Sequence, residues 1–163
     1  MNRYLLLIIL LHSCNNSVKI NDKFSENNTI ENSINISSKI NPQQLSLEAQ
    51  NITQKWSSFP ELKSIINALK SKNYSAFMEI DNYLKEFVTE LKKTLPKKLN
   101  LPPINSRIVV LETSFLELES ILSKNQLETK KRDIITEKSL ESYHNLIYQI
   151  NKTIEKELQK ITE

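Results

Sequence analysis

The stretch Phe77-Met78-Glu79-Ile80-Asp81-Asn82-Tyr83-Leu84-Lys85-Glu86-Phe87-Val88-Thr89-Glu90-Leu91-Lys92-Lys93-Thr94-Leu95 decides the fold class. Phe77, Ile80, Leu84, Phe87, Val88, Leu91 and Leu95 recur at the helical period and keep one apolar face for five turns. Pro96 then forbids continuation, because it has no N–H to donate and its ring clashes with the preceding turn. A strand of this length would alternate its apolar residues instead.

Working outward, the same pattern returns on both sides. After Pro96-Lys97-Lys98-Leu99-Asn100-Leu101-Pro102-Pro103, the positions Ile104, Ile108, Leu111, Phe115, Leu118 and Leu122 predict a long helix. Thr136 is the expected N-cap of another, in which Leu140, Tyr143, Ile147, Ile150, Ile154 and Leu158 face inward. Residues 123–135 fit either neighbour, since Leu127, Ile134 and Ile135 extend both patterns. Toward the N-terminus, Ser58-Phe59-Pro60 opens a short helix carrying Leu62, Ile65, Ile66 and Leu69, which Lys72-Asn73 ends. Before it, Asn41-Pro42 reads as a cap with proline at the first helical position, followed by Leu45, Ala49, Ile52 and Trp56.

The chain has no glycine, which removes the usual residue for tight hairpins and left-handed helix caps and argues against an all-β fold. Pro60, Pro96, Pro102 and Pro103 interrupt the period too often for one long coiled coil. The expectation is therefore all-α: an antiparallel bundle of four to five helices over residues 42–163, preceded by a disordered tether.

That tether spans 14–41. From Asn15 to Asn41 the chain holds eight Asn and five Ser, and its isoleucines sustain no regular period. A flexible chain of this length has a root-mean-square span on the order of 30 Å. Asn-x-Ser/Thr triplets such as Asn27-Asn28-Thr29 arise by chance in such a composition and carry no weight.

Residues 1–13 read as an export signal. Met1-Asn2-Arg3 brings one positive charge, Tyr4 to Leu11 is an unbroken apolar run, and Leu11-His12-Ser13-Cys14 stands where a peptidase would cut. A run of eight residues falls well short of the roughly 20 needed to cross a bilayer as a helix. These residues resemble the lipobox of bacterial lipoproteins, with Leu11 first, Ser13 before the cut and Cys14 as acyl acceptor, while His12 departs from the small or apolar residue usual at its place. The resemblance implies lipid attachment at Cys14 and a protein held to the bilayer by its acylated cysteine. The cysteine count agrees: Cys14 is the only thiol, so no internal disulfide can form.

A second resemblance rests on Pro102-Pro103-Ile104-Asn105-Ser106-Arg107-Ile108-Val109-Val110-Leu111-Glu112-Thr113, which is similar to a stretch in small uncharacterised lipoproteins of Bacteroidetes, flavobacteria above all. It covers the signal and residues 60–122 and implies an envelope location without an activity. Spirochaete lipoproteins share the Asn/Ser/Lys tether. Surface lipoproteins of Bacteroidetes often carry acidic residues after the cysteine, and Asn15-Asn16-Ser17-Val18-Lys19 does not, so the resemblance implies the periplasmic face.

Several chemistries lack their parts. Without glycine there is no dinucleotide fingerprint, Walker loop or nucleophile elbow. After signal removal His144 is the only histidine, too few for a His/Cys metal site, so no metal or other cofactor is expected. Glu141 and His144 form one Glu-x-x-His pair, half of what a di-iron bundle site needs. His144 follows Tyr143, which lies on the apolar stripe, and is turned by about 100° from it, so it belongs at the core edge or the surface and not in a general-base site. Glu112, Glu117 and Glu119 read as solvated helix faces.

Lys92-Lys93-Lys97-Lys98 and Lys130-Lys131-Arg132 form two basic groups in a chain of net charge +3. That excess is small for nucleic-acid binding, and none is expected; the groups suit helix C-termini or anionic lipid. Lys97, Lys98 and Arg107 flank Leu99 and Leu101 in a proline-stiffened segment. Two readings stay open: a docking surface for a protein partner in the envelope, or a cap in which the leucines tuck under the bundle. The functional expectation is a non-enzymatic interaction or structural lipoprotein, with a small hydrolase or lipid-handling protein using an unrecognised carboxylate site as the alternative.

Overall fold

The computed structural model describes residues 43–78, 83–123 and 129–161. Among these there are five α-helices and no strand: α1 (Leu47–Thr53), α2 (Phe59–Lys70), α3 (Tyr83–Lys93), α4 (Pro102–Ser123) and α5 (Thr129–Ile161), with a 3-10 turn at Ser75–Phe77. Residues 1–42, on which the expected signal, lipid attachment at Cys14 and tether fall, lie outside the described residues. The chain is a helical bundle, and its largest interface is between α4 and α5. Those two run antiparallel: Glu117 meets Lys138 at 2.6 Å, while Leu101 and Pro103 share a groove with Lys152, Thr153 and Lys156.

One continuous core joins every element, with Trp56, Leu62, Leu84, Leu91, Ile108, Leu111, Phe115 and Ile150 among its buried members. Phe77 meets Phe115 edge-on with ring centroids 5.5 Å apart, and Trp56 stacks on Phe59 at 5.2 Å. The serines buried within α4 and α5 do not disturb this core, because each bonds a carbonyl of its own helix: Ser114 to Leu111 at 2.8 Å, Ser139 to Ile135 at 2.9 Å and Ser142 to Lys138 at 2.8 Å. Lys92 and Glu112, 2.5 Å apart, tie α3 to α4.

The C-terminus of α3 shows how the pieces lock. A helix leaves its last four carbonyls without intrahelical partners. The indole N–H of Trp56 donates to the Leu91 carbonyl at 2.9 Å, and the Thr94 hydroxyl donates to the Glu90 carbonyl at 2.8 Å. With the Thr94 proton committed there, the 2.8 Å contact between Ser58 and Thr94 has Ser58 as donor. Residues 94–101 then turn the chain into α4, with Leu99 fully buried beneath them.

Five expectations about the helices need correction. The first helix opens at Leu47, not at Pro42: residues 43–46 are non-helical, and Ser46 caps α1 by accepting the Ala49 N–H at 3.2 Å. Trp56 lies beyond α1, where the chain bends into α2. The helix through Leu84–Leu91 is described from Tyr83, with Phe77 in the 3-10 turn before it. Local chemistry decides that turn: Lys72 takes φ 56°, and the Asn73 side chain accepts the Ser75 N–H at 3.0 Å. Thr136 is not a cap. It lies inside α5, which already runs from Thr129 and includes Ile134 and Ile135, and its hydroxyl bonds back to the Arg132 carbonyl at 2.8 Å. Leu158, expected inward, is 46% exposed. At 33 residues α5 is about 50 Å long against about 33 Å for the 22-residue α4, so its last turns outrun their main partner.

Candidate functional site

Residues 43–46 form a strap laid across α5, and two side chains of that helix hold it. The Asn151 amide oxygen accepts the Ser46 N–H at 2.9 Å, and its amide nitrogen donates to the Gln44 carbonyl at 2.7 Å. One side chain thus serves a donor and an acceptor of the strap, as a neighbouring strand would. His144 stands seven positions earlier, two turns along the same face. Its Nδ1 accepts the Gln43 N–H at 3.2 Å. A nitrogen that accepts has no proton, so this contact belongs to the neutral ring with its proton on Nε2. Burial holds the imidazole below the usual histidine value, and the Lys70 ammonium pushes it the same way.

Beside the strap lies an open cleft of about 620 Å³ between α1, α2 and α5. Phe59, Ile66, Tyr143 and Ile147 give it an apolar floor. Lys63 and Lys70 of α2 line it too, seven residues apart and therefore on one helix face, about 10 Å apart along the axis. The remaining polar lining is the His144 imidazole together with amide and hydroxyl groups, and among the described residues no carboxylate contributes to it.

The residues named from sequence fall elsewhere. Glu112 and Glu117 occupy ion pairs with Lys92 and Lys138 rather than a shared cleft. Lys97, Lys98 and Arg107 are exposed, but the structure does not place Leu99 among them at the surface: Leu99 is buried, and Leu101 alone of the two leucines is exposed, at 42%. Lys92 and Lys93 lie in the last turn of α3, as expected of cations at a helix C-terminus. Lys130, Lys131 and Arg132 do not follow that rule, because they stand in the first turns of α5. Arg132 finds compensation in the Tyr74 ring, whose centroid is 5.3 Å from its guanidinium. His144 does sit at the core edge, half-buried beside the Tyr143 ring.

Sequence reasoning missed the clamp and the cleft. Asn151 carries no periodic or motif signal that separates it from a solvated asparagine. Lys63 and Lys70 had one, since a spacing of seven puts both on one face of α2. Among the described residues no group of three or more His, Cys, Asp or Glu is placed to hold a metal ion, and no helix is long and apolar enough to cross a membrane. Compared with family models, curated proteins and solved structures, the chain matches none.

Proposed function

We propose that the chain is a lipid-anchored protein of the bacterial envelope whose helical domain acts by binding, as an interaction or structural module, and not by catalysis. The observation that carries this reading is Leu11-His12-Ser13-Cys14 behind an eight-residue apolar run with a basic start. Acylation accounts for a single thiol in an exported chain, and two or more acyl chains suffice for stable anchoring where one is marginal. The resemblance to Bacteroidetes lipoproteins supports the envelope, on its periplasmic face.

The binding half of the reading draws on the disposition of side chains. Glu112 and Glu117 are engaged in ion pairs with Lys92 and Lys138, and His144 is engaged by the strap. Labelling with palmitate tests the anchor: wild-type chain takes up label and Cys14→Ser does not. Equal incorporation in both would sink the lipoprotein reading. Crosslinking in living cells, followed by identification of the captured protein, tests the interaction role.

A further inference from the structure

The cleft beside the strap combines three features that a solvated helix face lacks. Its floor is aromatic and aliphatic, its cations are not neutralised, and its volume of about 620 Å³ lies within the ~300–1,000 Å³ range of small-molecule sites. Neither Lys63 nor Lys70 enters an ion pair among the described residues, although Lys72, Lys92, Lys93, Lys138 and Lys152 all do. The imidazole next to Lys70 keeps a donor: with Nδ1 occupied by the Gln43 N–H, the ring proton is on Nε2. Two ammonium groups and an N–H around an apolar floor, with no carboxylate in the lining among the described residues, repel a cation and offer a neutral alkane no polar contact.

We infer that this cleft is a binding site for a small amphiphilic anion, its acidic head against Lys70 and His144 and its apolar body over Phe59 and Tyr143. Lys63, one heptad back on α2, adds attraction along the cleft without sharing the same head-group contact. The site is separate from the proposed lipid anchor and does not depend on it.

The test uses the full chain carrying Cys14→Ser, so that no acyl chain of its own competes, with isotope-labelled histidine observed by NMR. His144→Gln identifies the His144 signal, because His12 is the only other histidine. Laurate, kept below its micelle-forming concentration, is the probe. It shifts the His144 ring signals saturably and raises the midpoint of their pH titration, since a bound carboxylate favours the imidazolium form. Exchanging Lys63 and Lys70 together for Gln weakens laurate binding about tenfold, a loss of about 1.4 kcal/mol, and exchanging both for Arg retains it. Dodecyltrimethylammonium, with the same chain and opposite charge, leaves His144 unmoved. The proposal is overturned if laurate leaves the His144 signals in place, if the Gln pair binds it as tightly as the parent, or if the cation binds as well as the anion. Should the Gln pair lose its helical circular dichroism, the laurate and cation titrations of the parent decide the matter alone.

Discussion

Two non-helical segments are fastened to this bundle by opposite means. The turn at 94–101 is held by burial: Leu95 and Leu99 are in the core, and Trp56 reaches across to close α3 above them. The strap at 43–46 is held by direction: Asn151 and His144 hydrogen-bond its backbone, while Leu45 is only half-buried. Apolar burial tolerates small displacements and is indifferent to protonation. Hydrogen bonds at a partly wet surface contribute less each, and one of these depends on a titratable ring. The strap is therefore the part of the domain expected to open first, and it is also where the chain from the tether arrives.

The contrast fails most visibly if Leu99 can be trimmed at little cost. Leu99→Ala removes a fully buried side chain and is expected to destabilise the domain by about 2–5 kcal/mol, read from urea unfolding of the chain. Next comes Trp56→Phe, which keeps the ring packing but leaves the buried Leu91 carbonyl without its indole donor. A loss of about 1–3 kcal/mol is expected, and a near-neutral result would mean that the cap on α3 adds nothing to ring burial.

The strap's own variants act locally. Asn151→Ala removes both of its amide hydrogen bonds and is expected to cost about 1 kcal/mol, appearing as roughly fivefold faster hydrogen exchange at the Ser46 amide with global unfolding little changed. For His144 the sign follows from linkage. Its value in the folded state is depressed, so over the range between that value and the ordinary 6.5 the unfolded chain binds more protons. Stability contributed by the neutral ring is present above 6.5 and is lost as pH falls through the folded value. Lys70 from α2 and the Tyr143 phenol on α5 are the ionisable neighbours in this cleft, Lys63 lying farther along α2. Relative to an unprotected amide at the same pH, exchange at the Gln43 amide should accelerate on acidification below 6.5, and His144→Gln, whose side-chain oxygen can accept the same N–H, should flatten that dependence. Acceleration that persists in the variant would assign the effect to another group.

What could be read beforehand follows the same division. The stripe Ile104, Ile108, Leu111, Phe115, Leu118 is buried throughout, because a helix whose face meets a long neighbour obeys its period. The same rule misplaced Leu158, since periodicity does not know where the neighbouring helix ends. It also joined Phe77 to the helix of Leu84, where Asn73 side-chain chemistry and the left-handed Lys72 set a turn instead. Leu146, fully buried, escaped notice because it sits one position before Ile147 on a face wider than the stripe drawn for it. The strap was legible in no pattern: its partners are about 100 positions away in sequence, and a backbone N–H carries no label for the side chain that will accept it.

The smallest effect on stability concerns the remaining surface. Lys97 and Lys98 stand on the turn that burial holds rigid, Pro102 and Pro103 fix its exit into α4, and Arg107 follows in the second turn of that helix. A partner meeting these cations would find them on a platform that loses little entropy on binding, in contrast to the strap, which must first be kept closed. The burial of Leu99 narrows what such a partner can use: the apolar contact available there is Leu101, which lies in the groove beside Pro103 and the last turns of α5. Changing Lys97, Lys98 and Arg107 together to Ala should shift the unfolding temperature by no more than a few degrees, as substitutions at exposed positions usually do. The same variant should reduce crosslinked partner in cells, with Leu101→Ser reducing it further because the apolar contact is lost as well. If crosslinking is unchanged in both, the turn serves the fold alone; if the triple variant unfolds, the cations are structural and the rigid platform is not a free surface.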